Sequence, residues 1–434
     1  MINPDVFKAY DVRGKAGSEI TPELCAQIGR GLGDILSDGI VAVGYDMRPE
    51  SQEYAESLIN GLVMQGRQVW DLGLIPTDMI YFAVGKYELA GGAVVTASHN
   101  PGEYNGVKIV GAEIQELRGT VLAGEYKAVD QPGSITQKDL KQVWVDHALN
   151  LVDVSGWPAY SVAIDAGNGM AGAILPLLKT PLSVTEMFYD LDGAFPSHAP
   201  NPVDPKNLTA LIAAIKKDQL DFGIAFDGDG DRAILVDGKG RIVNGTILTA
   251  IIAADILSRL PGASVVYSAS MGNIVPETIE RLGGAAVISR VGHSHIEEAM
   301  REHQAEFGGE YSGHLYFKGN YYAGSGLIGA LTVVDILARS GKTLAELFDT
   351  YNVYASSGEI NLPVSDVVAT MDVLAATYND GVQDRLDGLT VRYADWWFNV
   401  RPSNTEPLLR LSIEANDQEL LQTHQQELLT LITG

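Results

Sequence analysis

A chain of 434 residues is too long for one ordinary hydrophobic core and points to roughly two to four domains. With 46% hydrophobic and 20% charged residues it reads as globular rather than disordered. It has no apolar run of membrane-spanning length and no basic-then-apolar leader at Met1–Asp5, so the cytoplasm is the expected location. Fifty-five acidic against thirty basic residues give a formal charge of −25, which opposes binding to nucleic acid and to acidic membrane surfaces.

Cys25 is the single cysteine, so an intrachain disulfide is excluded, as suits a reducing compartment. It sits in a helix-like run and is expected to be a small buried apolar side chain rather than a reactive thiol. If the substrate is a small anion, the few cations must be gathered in one place to hold it against the overall field.

In chain order, three segments share one pattern: a short β-branched apolar run, a turn, then an amphipathic helix-like stretch. They are VAVGYDMRPESQEYAESLINGL from Val41, SVAIDAGNGMAGAILPLLK near Val162 and SVVYSASMGNIVPETIERLGG near Val265. Each opens an α/β unit, and their spacing predicts three α/β domains of similar size. After Tyr354 the texture changes. SGEINLPV reads as a strand, SDVVATMDVLAATY as a helix capped by Ser365, TVRYADWWFNVRP as strand material, and a last helix follows from about Asp417. This predicts a smaller C-terminal α+β domain. Expected boundaries lie in the polar stretch from Gln131 to Lys141, near Gly245, and at Ala355 to Ser357, giving domains 1–147, 148–252, 253–355 and 356–434.

The strand-like GGAVVTAS runs into His99-Asn100-Pro101-Gly102, so Ser98 stands where a buried strand ends and a tight turn begins. That position exposes a side chain on a rigid support, at the end of a strand where α/β sheets place ligands. A turn serine bonding its own backbone is the blander reading. More specific is Asp227-Gly228-Asp229-Gly230-Asp231-Arg232, between the strand-like FGIAF and AILVD. Glycine permits the turns that swing alternate carboxylates onto one point, and three hard oxygen donors suit Mg²⁺. A helix-flanked calcium loop fails on spacing, because its twelfth position is Gly238 rather than a bidentate Glu and its flanks are strands. A solvated acidic turn is the remaining alternative.

Two glycine-framed segments add polar groups. Gly309-Glu310-Tyr311-Ser312-Gly313-His314 alternates a carboxylate, a hydroxyl and an imidazole, as a strand would to bond a polyol from one side. Arg401-Pro402-Ser403-Asn404-Thr405-Glu406-Pro407 gathers a guanidinium, hydroxyls and an amide in a turn, the chemistry of a phosphate cradle. Either could equally be an ordinary loop.

FKAYDVRG at Phe7–Gly14, TASHNP at Thr96–Pro101, DGDGDR, GEYSGH and RPSNTEP together, and in this order, resemble the α-D-phosphohexomutase family, in its phosphomannomutase/phosphoglucomutase branch. The likeness spans essentially the whole chain. It implies three similar α/β domains with mixed sheets plus a smaller C-terminal α+β domain around a central cleft, and a mutase that interconverts hexose 1-phosphate and hexose 6-phosphate of mannose or glucose. It further implies that Ser98 is a phosphoserine, with Asp227, Asp229, Asp231 and a phosphoserine oxygen holding Mg²⁺. Arg13 and Lys108 would flank the transferring phosphate together with His99, Lys108 being the candidate general base with a pKa lowered by a neighbouring cation. Tyr10, Arg232, Gly292, His293, Glu310, Ser312 and His314 would contact substrate, and Arg401, Ser403, Asn404 and Thr405 the phosphate that does not react. A hexose 1,6-bisphosphate would be intermediate and activator, and the enzyme a monomer or homodimer acting on small phosphosugars.

The chain departs from the family pattern at Gly324, where relatives carry Asp, and near Ser270, where a basic residue is expected. His293 and His295 alone, with no third ligand nearby, do not make a zinc site. A phosphoglucosamine mutase is the nearest alternative, although its sugar loop has Gln where this chain has Tyr311; a non-catalytic sugar-phosphate or cation-binding relative is another.

Overall fold

The computed structural model describes residues 2–402 and 408–433. The chain divides into two compact units, one formed by Met1–Asn244 with Ser312–Ala345 and the other by Gly245–Tyr311 with Glu346–Gly434.

The first unit holds two mixed sheets. The six-stranded sheet runs in the order Asp11–Lys15, Tyr104–Val110, Gly91–Val95, Val41–Tyr45, Gln68–Leu74, Ser134–Gln137. Its first three strands are antiparallel and the rest parallel, so the pairing changes sense across Gly91–Val95. That strand is buried throughout, as its apolar, β-branched composition requires of a strand covered on both faces. The polar stretch expected to be a boundary contributes the edge strand Ser134–Gln137, whose residues are all exposed.

Helices cover the sheet because their apolar residues recur at helical spacing. Helix Pro22–Ile35 starts at Thr21, which accepts from the Leu24 N–H, with Pro at the first helical position. It buries Leu24, Cys25, Ile28 and Leu32, each Leu or Ile worth about 1.5–3 kcal/mol. Cys25 is fully buried, and burial pushes its thiol up to about 12, which makes it the inert core residue expected.

The second sheet runs Ile242–Val243, Ala233–Asp237, Phe222–Phe226, Ser161–Asp165, Ser183–Met187. Its central strand Phe222–Phe226 is buried at every position and pairs in parallel with Ser161–Asp165 and antiparallel with Ala233–Asp237. The acidic motif is therefore the loop between two buried antiparallel strands, as the sequence predicts.

In the second unit, strand Ser264–Ser268 pairs in parallel with Ala285–Ser289 and with Phe307–Gly309. A C-terminal antiparallel sheet runs Ala355–Pro363, Leu408–Ala415, Trp396–Pro402, Leu389–Arg392, Val382–Asp384. Its core of Trp396, Phe398, Leu411 and Ile413 packs with Leu421 and Leu428 of the helix Gln418–Thr433. Three α/β regions and a smaller α+β region are thus present as expected.

Two local expectations are corrected. The helix after the first C-terminal strand is capped by Asp366, not Ser365: the Asp366 backbone is extended and its side chain accepts from the Ala369 N–H at 3.0 Å. The stretch from Glu310 to His314 is not a strand. The strand ends at Gly309 and residues 311–313 turn, with Gly313 at φ 86°. Among the described residues no helix is long and apolar enough to cross a membrane.

Candidate phosphoryl-transfer site

Ser98 lies three residues beyond the buried strand Gly91–Val95, in a turn, with its side chain fully buried. Its φ of 51° is left-handed, a conformation that costs a serine on the order of 1–3 kcal/mol and persists only where surroundings over-determine it. The loop 227–232 meets it there. A Cβ on Gly228 would stand 2.6 Å from the Ser98 carbonyl oxygen, so the two loops approach this closely only because position 228 is glycine.

The approach brings together groups far apart in sequence. Ser98 Oγ donates to Asp227 Oδ2 at 3.2 Å and accepts from Arg232 Nη2 at 3.1 Å. Arg232 Nη2 also lies 2.5 Å from His99 Nδ1, which must then be the acceptor nitrogen, placing the imidazole proton on Nε2. Burial pushes the His99 pKa well below its ordinary value, and Arg232, Arg13 and Lys108 push it the same way, so His99 is neutral.

Asp227, Asp229 and Asp231 are all buried, and one carboxylate oxygen from each lies within 4.8 Å of the others. Lys108, on strand Tyr104–Val110, places Nζ 2.7 Å from Asp229 and 2.6 Å from Asp231. Thr77 Oγ1 donates to Asp229 Oδ2 at 2.6 Å. His314 Nε2 lies 3.3 Å from Asp231 Oδ1, and its Nδ1 lies 2.9 Å from Ser312 Oγ. Burial and the neighbouring carboxylates push Asp227 well above the usual range, against the pull of Arg232 and Lys108. Burial also acts to raise Asp231, but Lys108 and His314 outweigh it and hold Asp231 well below.

The triad fits a divalent cation. Three buried hard oxygen donors converge, their mutual repulsion is costly without a positive partner, and Asp229 Oδ1 is buried with no hydrogen-bond partner. Burial alone would lower the Lys108 pKa, but the contacts with Asp229 and Asp231 outweigh it and hold Lys108 above its ordinary value, opposite in direction to the lowering expected from a neighbouring cation.

Arg13, on strand Asp11–Lys15, donates through Nη1 to Asn100 Oδ1 at 2.6 Å and pairs with Asp11, reaching the serine's loop from the adjoining strand. Tyr10 lies just before that strand and is half-buried. Tyr10, Ser98, His99, Lys108, Arg13, the three aspartates, Arg232, Ser312 and His314 all belong to the first unit. The other expected site residues belong to the second. There Gly292, at φ 129°, precedes helix His293–Glu302 and donates its N–H to Glu310 Oε1 at 2.8 Å. Arg401 is buried and pairs with Glu359 at 2.7 Å. Ser403, Asn404 and Thr405 lie outside the described residues.

Sequence reading missed Thr77 and Arg48. Thr77 follows a proline and precedes an aspartate in a loop, as many helix caps do, and Arg48 carries no motif of its own. Only Arg48's position two residues after Asp46, beside a strand end, marks it.

A strained serine, an imidazole, a buried carboxylate triad able to hold a divalent metal and surrounding cations thus lie together in the first unit. Profiles of the phosphoglucomutase/phosphomannomutase family match along the chain: alpha/beta/alpha domain I over residues 4–123, domain II over 142–240, domain III over 244–354 and the C-terminal domain over 359–431. A protein of Xanthomonas campestris pv. campestris described as phosphohexose mutases is 38% identical, with 99% of each chain aligned. A phosphomannomutase of Salmonella montevideo is 35% identical over the full length of both. The crystal structure of a phosphoglucomutase/phosphomannomutase family protein from Burkholderia thailandensis superposes with a TM-score of 0.90 at 31% identity, covering 99% of this chain and 97% of that one. The chain belongs to the phosphoglucomutase/phosphomannomutase family and is a phosphohexomutase.

Proposed function

We propose that the enzyme interconverts the 1- and 6-phosphates of mannose and glucose through a phosphorylated Ser98 and a hexose 1,6-bisphosphate. The observation that carries this reading is the contact of Ser98 Oγ with both Asp227 and Arg232. A hydroxyl in a strained turn, set against a metal-competent triad and a guanidinium, is suited to carrying a phosphoryl group. Asp227, Asp229 and Asp231 would hold Mg²⁺, which when bound neutralises charge on the phosphoryl oxygens.

In the forward half-reaction the free hydroxyl of a hexose 1-phosphate attacks phosphorus. The bond from phosphorus to Ser98 Oγ breaks as the bond to the sugar oxygen forms, and the proton the sugar hydroxyl gives up is balanced by the one that Ser98 Oγ takes up as it leaves. The bisphosphate turns around and its other phosphoryl group returns to Ser98, releasing hexose 6-phosphate. Lys108, Arg13 and Arg232 stabilise the transferring oxygens. Neutral His99 lies beside Ser98 Oγ at 3.3 Å and adds no charge that would hold the phosphate too tightly. Glu310, Ser312, His314 and His293 bind the sugar, Gly292 orients Glu310, and Tyr10 contacts the substrate. Arg401, with Ser403, Asn404 and Thr405, takes the phosphate that does not react. The single buried thiol suits a reducing compartment, and we place the enzyme in the cytoplasm.

A coupled assay tests the reading. Glucose 1-phosphate with Mg²⁺ and a trace of glucose 1,6-bisphosphate should yield glucose 6-phosphate, the chain should gain the mass of one phosphate, and Ser98→Ala should abolish both. Full mutase activity in Ser98→Ala would overturn the phosphoserine assignment, and release of free phosphate instead would indicate a phosphatase.

A further inference from the structure

Arg48 follows strand Val41–Tyr45 and is almost completely buried. Its guanidinium spends nearly all its donors on the backbone of the serine's loop. Nη2 donates to the carbonyls of Ser98 at 3.0 Å and Asn100 at 2.7 Å, and Nη1 to those of Pro101 at 2.7 Å and Tyr104 at 2.9 Å. Nε donates to Asp46 Oδ2 at 3.1 Å. The aromatic ring of Phe195 closes over it, with the guanidinium carbon 5.0 Å from the ring centroid.

Asp46 in turn is fully committed. It accepts from Ser51 Oγ at 2.6 Å, from Thr96 Oγ1 at 2.7 Å and from the Arg48 N–H at 3.0 Å. Thr96 Oγ1 then accepts from the Ser98 N–H at 3.0 Å. The two ends of the Ser98 peptide unit are thus held by one ion pair, the N–H through Thr96 and Asp46 and the carbonyl by Arg48 directly.

We infer that Arg48 is a positioning residue for phosphoryl transfer: its forked donors, braced by Asp46, hold the loop 98–104 in the left-handed turn that aims Ser98 Oγ at Asp227 and Arg232. This rests on Ser98 being the phosphoryl carrier. A loop carbonyl in a buried turn has no ladder partner, and three of them here, with the carbonyl of Tyr104 at the start of the next strand, share one rigid, planar cation. Lysine offers three donors from a single point and cannot span these four acceptors. Arg48 hydrogen-bonds neither Ser98 Oγ nor the aspartate triad, so its direct contacts act on the position of the serine's loop.

The test uses the full chain with Arg48→Lys and Arg48→Ala, both checked for folding by circular dichroism. Each should lower kcat by about 100-fold, the penalty for displacing a reacting atom by roughly an ångström, while leaving KM for glucose 1-phosphate unchanged. Amide exchange should rise in peptides covering 97–104 and stay slow in strand Gly91–Val95. Guanidinium at sub-denaturing concentration should restore activity to Arg48→Ala, and sodium chloride of equal ionic strength should not. If Arg48→Ala does not fold, Arg48→Lys, which keeps the charge facing Asp46, carries the same readouts. Wild-type kcat in either folded variant, or lost activity with unchanged exchange at 97–104, overturns the inference. Failure of the functional reading looks different: the wild-type chain itself would then take up no phosphate, whereas the exchange measurement would still report on the clamp.

Discussion

Thr77 and Asp229 are joined twice, the threonine hydroxyl donating to the carboxylate at 2.6 Å and the threonine N–H to the Asp229 carbonyl at 3.0 Å. The carboxylate proposed to bind metal is thereby fixed in rotamer and in height. Groups that orient metal ligands in this way typically govern affinity by about 10–100-fold. Thr77→Val, which keeps the shape and removes the donor, should weaken Mg²⁺ binding by that factor in calorimetric titration with the metal alone. Unchanged affinity would show that Asp229 needs no such support.

Lys108 bridges two buried carboxylates, and removing one partner of a buried ion pair typically costs about 3–5 kcal/mol. In metal-free buffer Lys108→Met should melt well below the wild type. Added Mg²⁺ should raise the melting temperature of the variant more than that of the wild type, because it supplies charge the variant lacks. Equal shifts in the two proteins would argue against metal binding at the triad.

Asp78, beside Thr77, is buried and accepts from Ser325 Oγ at 2.6 Å. Burial raises its pKa well above the carboxylate range, and Asp231 and Asp229 add to this, while Ser325 opposes. A carboxyl raised in the folded state loses stability as pH climbs above its unfolded value of about 3.9. Asp78→Asn cannot ionise, so it should melt above the wild type at neutral pH, with the gap closing as pH falls toward 4. A gap constant with pH would show that Asp78 is ionised in the fold.

His198 Nε2 lies 3.1 Å from Asp165 Oδ2, and that hydrogen bond raises its pKa against the effect of burial. A histidine raised on folding contributes stability that is full below about 6.5 and is lost as pH rises through the folded value. The melting-temperature difference between the wild type and His198→Gln should therefore be large at about pH 6 and shrink toward about pH 8. A difference that grows with pH would reverse the sign and exclude a charged His198.

What could be read in the sequence was local. Asp227, Asp229 and Asp231 converge because their own glycines bend the chain, and FGIAF and AILVD announce their strands by composition, so the loop and its setting were both legible. Ser98 was legible as a strand end followed by turn residues. Arg48 and Thr77 were not, because their partners are backbone carbonyls and a carboxylate 152 positions away, and neither leaves a trace in residue type. The alternation in Glu310–His314 misled, since Gly313 adopts a left-handed turn that breaks the strand period. Ser365 and Asp366 are both good caps, and only the backbone angles decide between them. The edge strand Ser134–Gln137 has no buried face and so shows no alternation to detect.

The deep seat of Cys25 has a practical side. A thiol that stays protonated in the core should shrug off alkylating agents and mild oxidants, so the enzyme should need no reducing agent in storage. Cysteines introduced on the surface would be the only reactive ones, so spectroscopic probes could be attached at chosen points without first removing Cys25.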